Sequence, residues 1–142
     1  MRALLDVNVL IALHDRDHVH HRRASDWLAT NIHHGWASCP LTQNGCLRIM
    51  SQAAYPNVQP LSTLVAMLSS ATQHPQHQFW HDDISVMDPS LFHHPHIHSA
   101  RQLTDLYLLA LAVRNGGRLI SFDQRIPLSA VAGAEGRHLV ML

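Results

Sequence analysis

The segment from Thr104 to Asn115, TDLYLLALAVRN, is apolar almost all the way round a helical wheel. A surface helix confines its apolar residues to one stripe, so a helix like this one must be covered on several sides by other elements. Gly116-Gly117 stops it, and Arg118 to Phe122 (RLISF) reads as a strand immediately afterwards. The N-terminus has the reverse order. Residues 3 to 6 (ALLD) form a short apolar strand, and Val7 to His14 (VNVLIALH) switches at once to a helical pattern.

The stretch between these ends repeats the alternation. Asp17-His18 opens an amphipathic helix over Val19 to Ile32, with Ala24, Trp27, Leu28 and Ile32 on one face and Gly35 beyond its end. Trp36 to Cys39 is a second strand, and Pro40 suits the first turn of a helix reaching Met50. Pro56 and Pro60 mark a loop before a helix over Leu61 to Thr72, which His74-Pro75 stops. Gln78 to Trp80 is a candidate strand, a histidine-rich irregular stretch runs to His98, and His138 to Leu142 reads as a final edge strand. Strands alternating with helices imply a mostly parallel sheet covered on both faces, a three-layer α/β/α arrangement. At 142 residues the expectation is one domain over 1–142 with a single core.

Charge narrows the function classes. Formal net charge is zero and all ten cations are arginines, so nucleic acid would be gripped by local patches and not by an overall basic field. No run approaches the ~20 apolar residues of a membrane span, and no charged-then-apolar leader precedes the first strand, so cytoplasmic residence is the default expectation. Cys39 and Cys46 give no clear disulfide signal.

Three acids stand at the edges of apolar segments. Asp6 and Asp123 follow the first strand and the RLISF strand, and Asp105 opens the all-apolar helix. In a parallel sheet the carboxyl ends of the strands share one rim, and a helix that returns the chain to the sheet starts at that rim. Carboxylates beside a core are costly without a partner, and three together repel one another unless a cation enters. An oxygen-only donor set suits Mg²⁺. Each acid also has a plain structural reading: Thr104-Asp105 as a helix opening, Asp123 as a turn residue. Asp6, locked between Leu5 and Val7, is the hardest to explain that way.

The stretches LLDVNVLIAL, HVHHRRASDWL, PLTQNGCLRIM and QLTDLYLLALAVRNGGRLISFD together resemble the PIN-domain family, and in particular the VapC toxins of bacterial toxin–antitoxin systems. The resemblance covers Leu4 to Asp123. It implies a PIN-like fold, a homodimer, and an endoribonuclease using Mg²⁺ or Mn²⁺ under the control of a VapB antitoxin. By position, Asp6, Asp105 and Asp123 match the family's metal-binding acids, Asn8 a small polar neighbour of the first, and Thr104 and Ser121 flanking hydroxyls. The chain departs from the pattern on the helix after the second strand, where many members carry a fourth acid. Residues 40 to 50 hold no carboxylate, and the only glutamate is Glu135. Gln43 or Asn44 is then the candidate to support a metal-bound water, and Arg48 the candidate for substrate phosphate. The rival expectation is a PIN-like module that binds RNA or protein with weakened catalysis.

Other polar clusters carry less. His93 to His98 could bind Zn²⁺ or Ni²⁺, but Pro95 breaks any helical pairing of the imidazoles, so a polar loop is expected. Trp27 and Trp36 are expected in the core, Trp80 stays open, and Asp82-Asp83 reads as a solvated turn.

Overall fold

The computed structural model describes residues 1–142 as a five-stranded, all-parallel sheet in the order β3-β2-β1-β4-β5. The strands are β1 (Ala3–Leu5), β2 (Trp36–Ser38), β3 (His77–Phe79), β4 (Arg118–Ser121) and β5 (Leu139–Met141). The helices are α1 (Val7–His14), α2 (His21–Asn31), α3 (Pro40–Met50), α4 (Leu61–Thr72) and α5 (Leu103–Arg114). The three-layer α/β/α reading therefore holds, with β3 and β5 as the two edges.

Side chains alternate across the central strands and divide the core in two, as a pleated sheet requires. Leu4, Ala37 and Leu119 pack on the α5 side, whereas Ala3, Leu5, Trp36 and Ile120 pack on the side of α1, α2 and α4. The all-apolar segment is explained by its surroundings: Leu106, Leu108, Leu109, Leu111 and Ala112 of α5 are all buried, beneath the sheet and the irregular stretch that crosses it. Phe92 in that stretch bridges to Val131 and is itself buried.

Several boundaries moved by a few residues. α2 starts at His21, not at Asp17-His18, because Asp15 takes the Asp17 N–H into a turn (3.0 Å). β3 is shifted by one residue to His77–Phe79, and Trp80 beyond it is buried against Gly117, where a Cβ would come within 2.6 Å of the indole. Asp82 and Asp83 are not simply solvated. Asp82 Oδ2 accepts from the Leu41 N–H at the start of α3 (3.0 Å), and Asp83 pairs with Arg114 (3.3 Å). Both cysteines are buried free thiols. No helix is long and apolar enough to cross a membrane.

Candidate functional site

β1 and β4 are neighbours at the centre of the sheet, where the chain direction across the sheet reverses, and open α/β sheets form their sites at such a point. Asp6 is the residue after β1. Its N–H donates to Ile120 O (3.1 Å), its carbonyl starts α1 by accepting from Val9 (3.0 Å) and Leu10 (2.9 Å), and its carboxylate caps the helix through Val7 N–H (2.6 Å). The other carboxylate oxygen, Oδ2, accepts from the Ser121 hydroxyl (2.9 Å), and Ser121 Oγ in turn accepts from Asp123 N–H (3.0 Å). One hydroxyl thus ties the ends of β1 and β4 together. The Asp123 carboxylate accepts from Arg125 N–H (2.8 Å), which fixes the turn after β4.

Asp105 reaches the same rim from α5. That helix runs antiparallel to the strands, so its first turn, where Asp105 lies, stands at their carboxyl ends. Asp6 and Asp105 both feel the negative charges beside them. Burial pushes the Asp105 carboxyl up to about 7, helped by the charges of Asp6 and Asp123 and by a hydrogen bond with Asp123. Asp6, 5% exposed, is raised by burial and by the charge of Asp123, against the lowering effect of its bonds to Ser121 and Val7. None of the three belongs to a salt bridge; the ion pairs are Arg22–Asp26, Arg114–Asp83 and Arg137–Glu135, all at the surface. The uncompensated negative charge and the hard oxygen donors fit a divalent cation such as Mg²⁺. No three acid, histidine or cysteine side chains stand at metal-ligating spacing, so the carboxylates are gathered on one rim without converging on a single point.

The remaining candidates are spread more widely. Asn8 is exposed on the first turn of α1 and Thr104 is exposed on that of α5, next to Asp105. Gln43 is committed elsewhere: its Nε2 donates to Ser38 Oγ (2.9 Å), which also bonds His77 Nε2 (2.8 Å). Gln43 and Asn44 line a separate hollow of about 220 Å³ between α3 and α4. Arg48 is exposed in the last turn of α3, about 12 Å of helix from the end that faces the rim. A cavity of about 600 Å³, lined by Leu10, Leu13, Leu28, Ile32 and Ala71 among others, holds none of the acids.

Two structural features were not anticipated. Gly45 stands mid-helix in α3, where a Cβ would meet Val7 Cγ2 at 2.7 Å, so α3 presses directly on the turn that Asp6 caps. Glycine inside a helix costs about 1 kcal/mol against alanine, and that anomaly was the available signal. The second is Asp15, buried after α1, which accepts from the Tyr55 hydroxyl, Asn57 Nδ2 (2.9 Å) and Asp17 N–H (3.0 Å). Its partners lie some forty positions away, and no local pattern announces them.

Comparison with known proteins agrees with this architecture. The sequence matches the PIN domain family over residues 3–133. It is 49% identical to Ribonuclease VapC44 of Mycobacterium tuberculosis over 142 residues, the whole of both chains. It is also 41% identical to Ribonuclease VapC39 of the same organism over 134 residues, covering 94% of this chain and 96% of that one, and 41% identical to Ribonuclease VapC38 over 125 residues, 85% and 84%. With its parallel sheet, its paired strand-end acids and this degree of identity over full length, the chain belongs to the PIN-domain family and, within it, to the VapC ribonucleases.

Proposed function

We propose that this protein is a Mg²⁺-dependent endoribonuclease, the toxin component of a type II toxin–antitoxin system, and that Asp6, Asp105 and Asp123 are its metal-binding and catalytic acids. The observation that supports the reading is the gathering of these three unneutralised side chains after β1, after β4 and in the first turn of α5, where burial first, and the charges of Asp6 and Asp123 second, push the Asp105 carboxyl up to about 7. A buried Asp6 and a half-buried Asp105 facing the exposed Asp123, with no cation beside them, are costly to keep unless they serve a site. A bound divalent cation would act there as a Lewis acid toward the RNA phosphate and lower the pKa of a water.

The chain's own groups do the positioning. Ser121 fixes the Asp6 carboxylate by donating to Oδ2 while it holds the turn that carries Asp123. Solvent or one of the aspartates of the rim takes the proton that the attacking water gives up. Asn8 and Thr104 stand at the open side of this rim as polar contacts for water or substrate. Gln43 keeps its carbonyl oxygen and one N–H for a water, since one amide hydrogen serves Ser38, and Asn44 is the more exposed of the two. Arg48 contacts the substrate backbone at a distance from the scissile phosphate. Mn²⁺ would serve the same donors. The active species is a cytoplasmic homodimer, and a VapB-like antitoxin silences it by presenting an arginine to the acids, its guanidinium replacing the cation's charge.

A second reading rests on the absence of a carboxylate from α3 and on the spread of the three acids. In that reading the domain binds RNA or protein and does not cleave. One experiment separates the two: incubation of single-stranded RNA with wild type and Asp6→Asn, in Mg²⁺ and in EDTA, beside DNA of matched sequence. The nuclease reading expects Mg²⁺-dependent RNA cleavage with 5′-phosphate ends, lost in Asp6→Asn. Equal cleavage by the variant, or cleavage in EDTA, refutes it.

A further inference from the structure

The rim that carries Asp123 has a second side. Ser121 and Asp123 flank Phe122, whose ring turns to the α1 and α2 face of the sheet and packs on that half of the core. His20 covers it from outside, with ring centroids 4.6 Å apart and planes 31° apart. His18 continues the row, 5.7 Å from His20. Three half-buried rings therefore lead away from the residue that precedes Asp123.

The loop presenting these rings is firmly built. His18 N–H donates to Asp15 O (3.0 Å), His21 N–H to His18 O (2.9 Å), and the His21 ring bonds Ala12 O (2.6 Å). Asp15 itself is pinned by Tyr55 and Asn57. His20 N–H donates to His18 Nδ1 (3.0 Å), so that nitrogen is an acceptor and the His18 ring is neutral. Arg16 and Arg23 are exposed on the same loop and on the first turn of α2, and neither has an acid partner, whereas Arg22 is paired with Asp26. Flat rings beside free guanidinium groups are the combination that holds single-stranded nucleic acid: bases stack on the rings and cations meet the backbone.

We propose that the His20–Phe122 stack is a base platform that seats a nucleotide of single-stranded RNA next to the scissile phosphate, with Arg16 and Arg23 on flanking phosphates. This rests on the nuclease reading of the acids. Stacking accepts any base, so the platform sets where along the strand the acids act more than which sequence they choose. Because Phe122 and Asp123 are adjacent, a base on the stack holds the backbone over the acidic rim.

The test uses the full chain and a short RNA carrying 2-aminopurine at successive positions. With the Asp6→Asn protein, which keeps the RNA intact, fluorescence is expected to be quenched at one position by stacking. The quench should be lost in Asp6→Asn/His20→Ala and kept in Asp6→Asn/His20→Phe. In the otherwise wild-type chain, His20→Ala should raise KM about tenfold with kcat within about twofold, and His20→Phe should restore KM. No position-specific quench with the unaltered His20, or a fall in kcat at constant KM in His20→Ala, overturns the platform. If Asp6→Asn still cleaves, the assignment of the acids fails, an outcome distinct from the loss of stacking.

Discussion

Replacing Asp105 with asparagine should make the metal-free protein more stable, and the gain should depend on pH. The folded carboxyl lies near 7 against an ordinary value of 3.8, mainly because burial and the Asp6 and Asp123 charges disfavour its ionised form. Between these values the native state holds more protons than the unfolded chain, so stability falls as pH rises from about 4 through about 7. Undamped, the gap corresponds to ~4 kcal/mol at pH above 7. Asp105 is only half-buried, and water screens the repulsion, which leaves an expected ~1–2 kcal/mol. Asp105→Asn removes that cost. In EDTA its Tm at pH 7.5 should exceed wild type by roughly 3–8 °C, and at pH 5, where wild-type Asp105 is already protonated, the difference should shrink. Mg²⁺ should raise the wild-type Tm at pH 7.5 more than that of the variant, because ligand binding to the folded state adds stability in proportion to affinity. Thermal unfolding at the two pH values, with and without Mg²⁺, reads all of this. A lower Tm for Asp105→Asn at pH 7.5, or a gain equal at both pH values, would show that Asp105 serves the fold and does not belong to a repelling cluster.

Three further changes probe the site and the fold around it. Gly45→Ala places a methyl 2.7 Å from Val7 Cγ2 and should cost ~1–3 kcal/mol by forcing α3 off α1, with a fall in any cleavage activity as the Asp6 cap shifts; urea unfolding checks it. Ser121→Ala leaves the buried Asp6 Oδ2 and the Asp123 N–H without their shared partner, and should lower stability by ~1–3 kcal/mol. Asp15→Ala should be destabilising by ~2–4 kcal/mol, since the Tyr55 hydroxyl and Asn57 amide lose their acceptor, and should shift the acid limb of the stability profile. Burial would raise the Asp15 carboxyl, but its hydrogen bonds hold it below the ordinary range, so its contribution is present above 3.8 and lost as pH falls through the lower folded value.

The sequence made the layers legible because each rests on a local signal. The apolar girth of α5 forced coverage on both sides, and the strand-to-helix switch at Asp6 fixed the start of a parallel unit. The rim was legible for the same reason: residues that follow parallel strands share one edge whatever the detailed packing. What could not be read depends on contacts between distant positions. Asp82 as the partner of α3, Asp15 with Tyr55 and Asn57, and His20 over Phe122 all join residues whose spacing carries no period. The start of α2 was misplaced because an Asp–X–Asp turn and a helix cap use the same side-chain bond to a backbone N–H. Gln43 stands beside Asn44 as a candidate from its place in the pattern, whereas the bond that commits its amide nitrogen to Ser38 has no counterpart in that pattern.

That commitment explains why α3 tolerates an amide here and would resist an acid. Ser38 Oγ has one proton and accepts from the Gln43 Nε2, so the hydroxyl donates to His77 Nε2, and the imidazole's other nitrogen bonds the Thr72 backbone. Every group in the chain is satisfied with His77 neutral, and burial holds its pKa below the ordinary 6.5. Gln43→Glu removes the only donor at one end. Ser38 must then donate to the new carboxylate, and His77 Nε2 must donate to Ser38 while its other nitrogen still serves Thr72, so the ring has to carry both protons. The folded His77 pKa should move from below 6.5 to above it. A raised pKa gives stability that is full below the unfolded value and lost as pH rises through the folded one. The variant should therefore lose more stability relative to wild type at pH 8 than at pH 6, and the His77 ring resonances should titrate at higher pH in NMR spectra. An equal loss at both pH values, with His77 still titrating below 6.5, would show that the Ser38 hydroxyl is free to turn and that the amide at position 43 carries no such constraint.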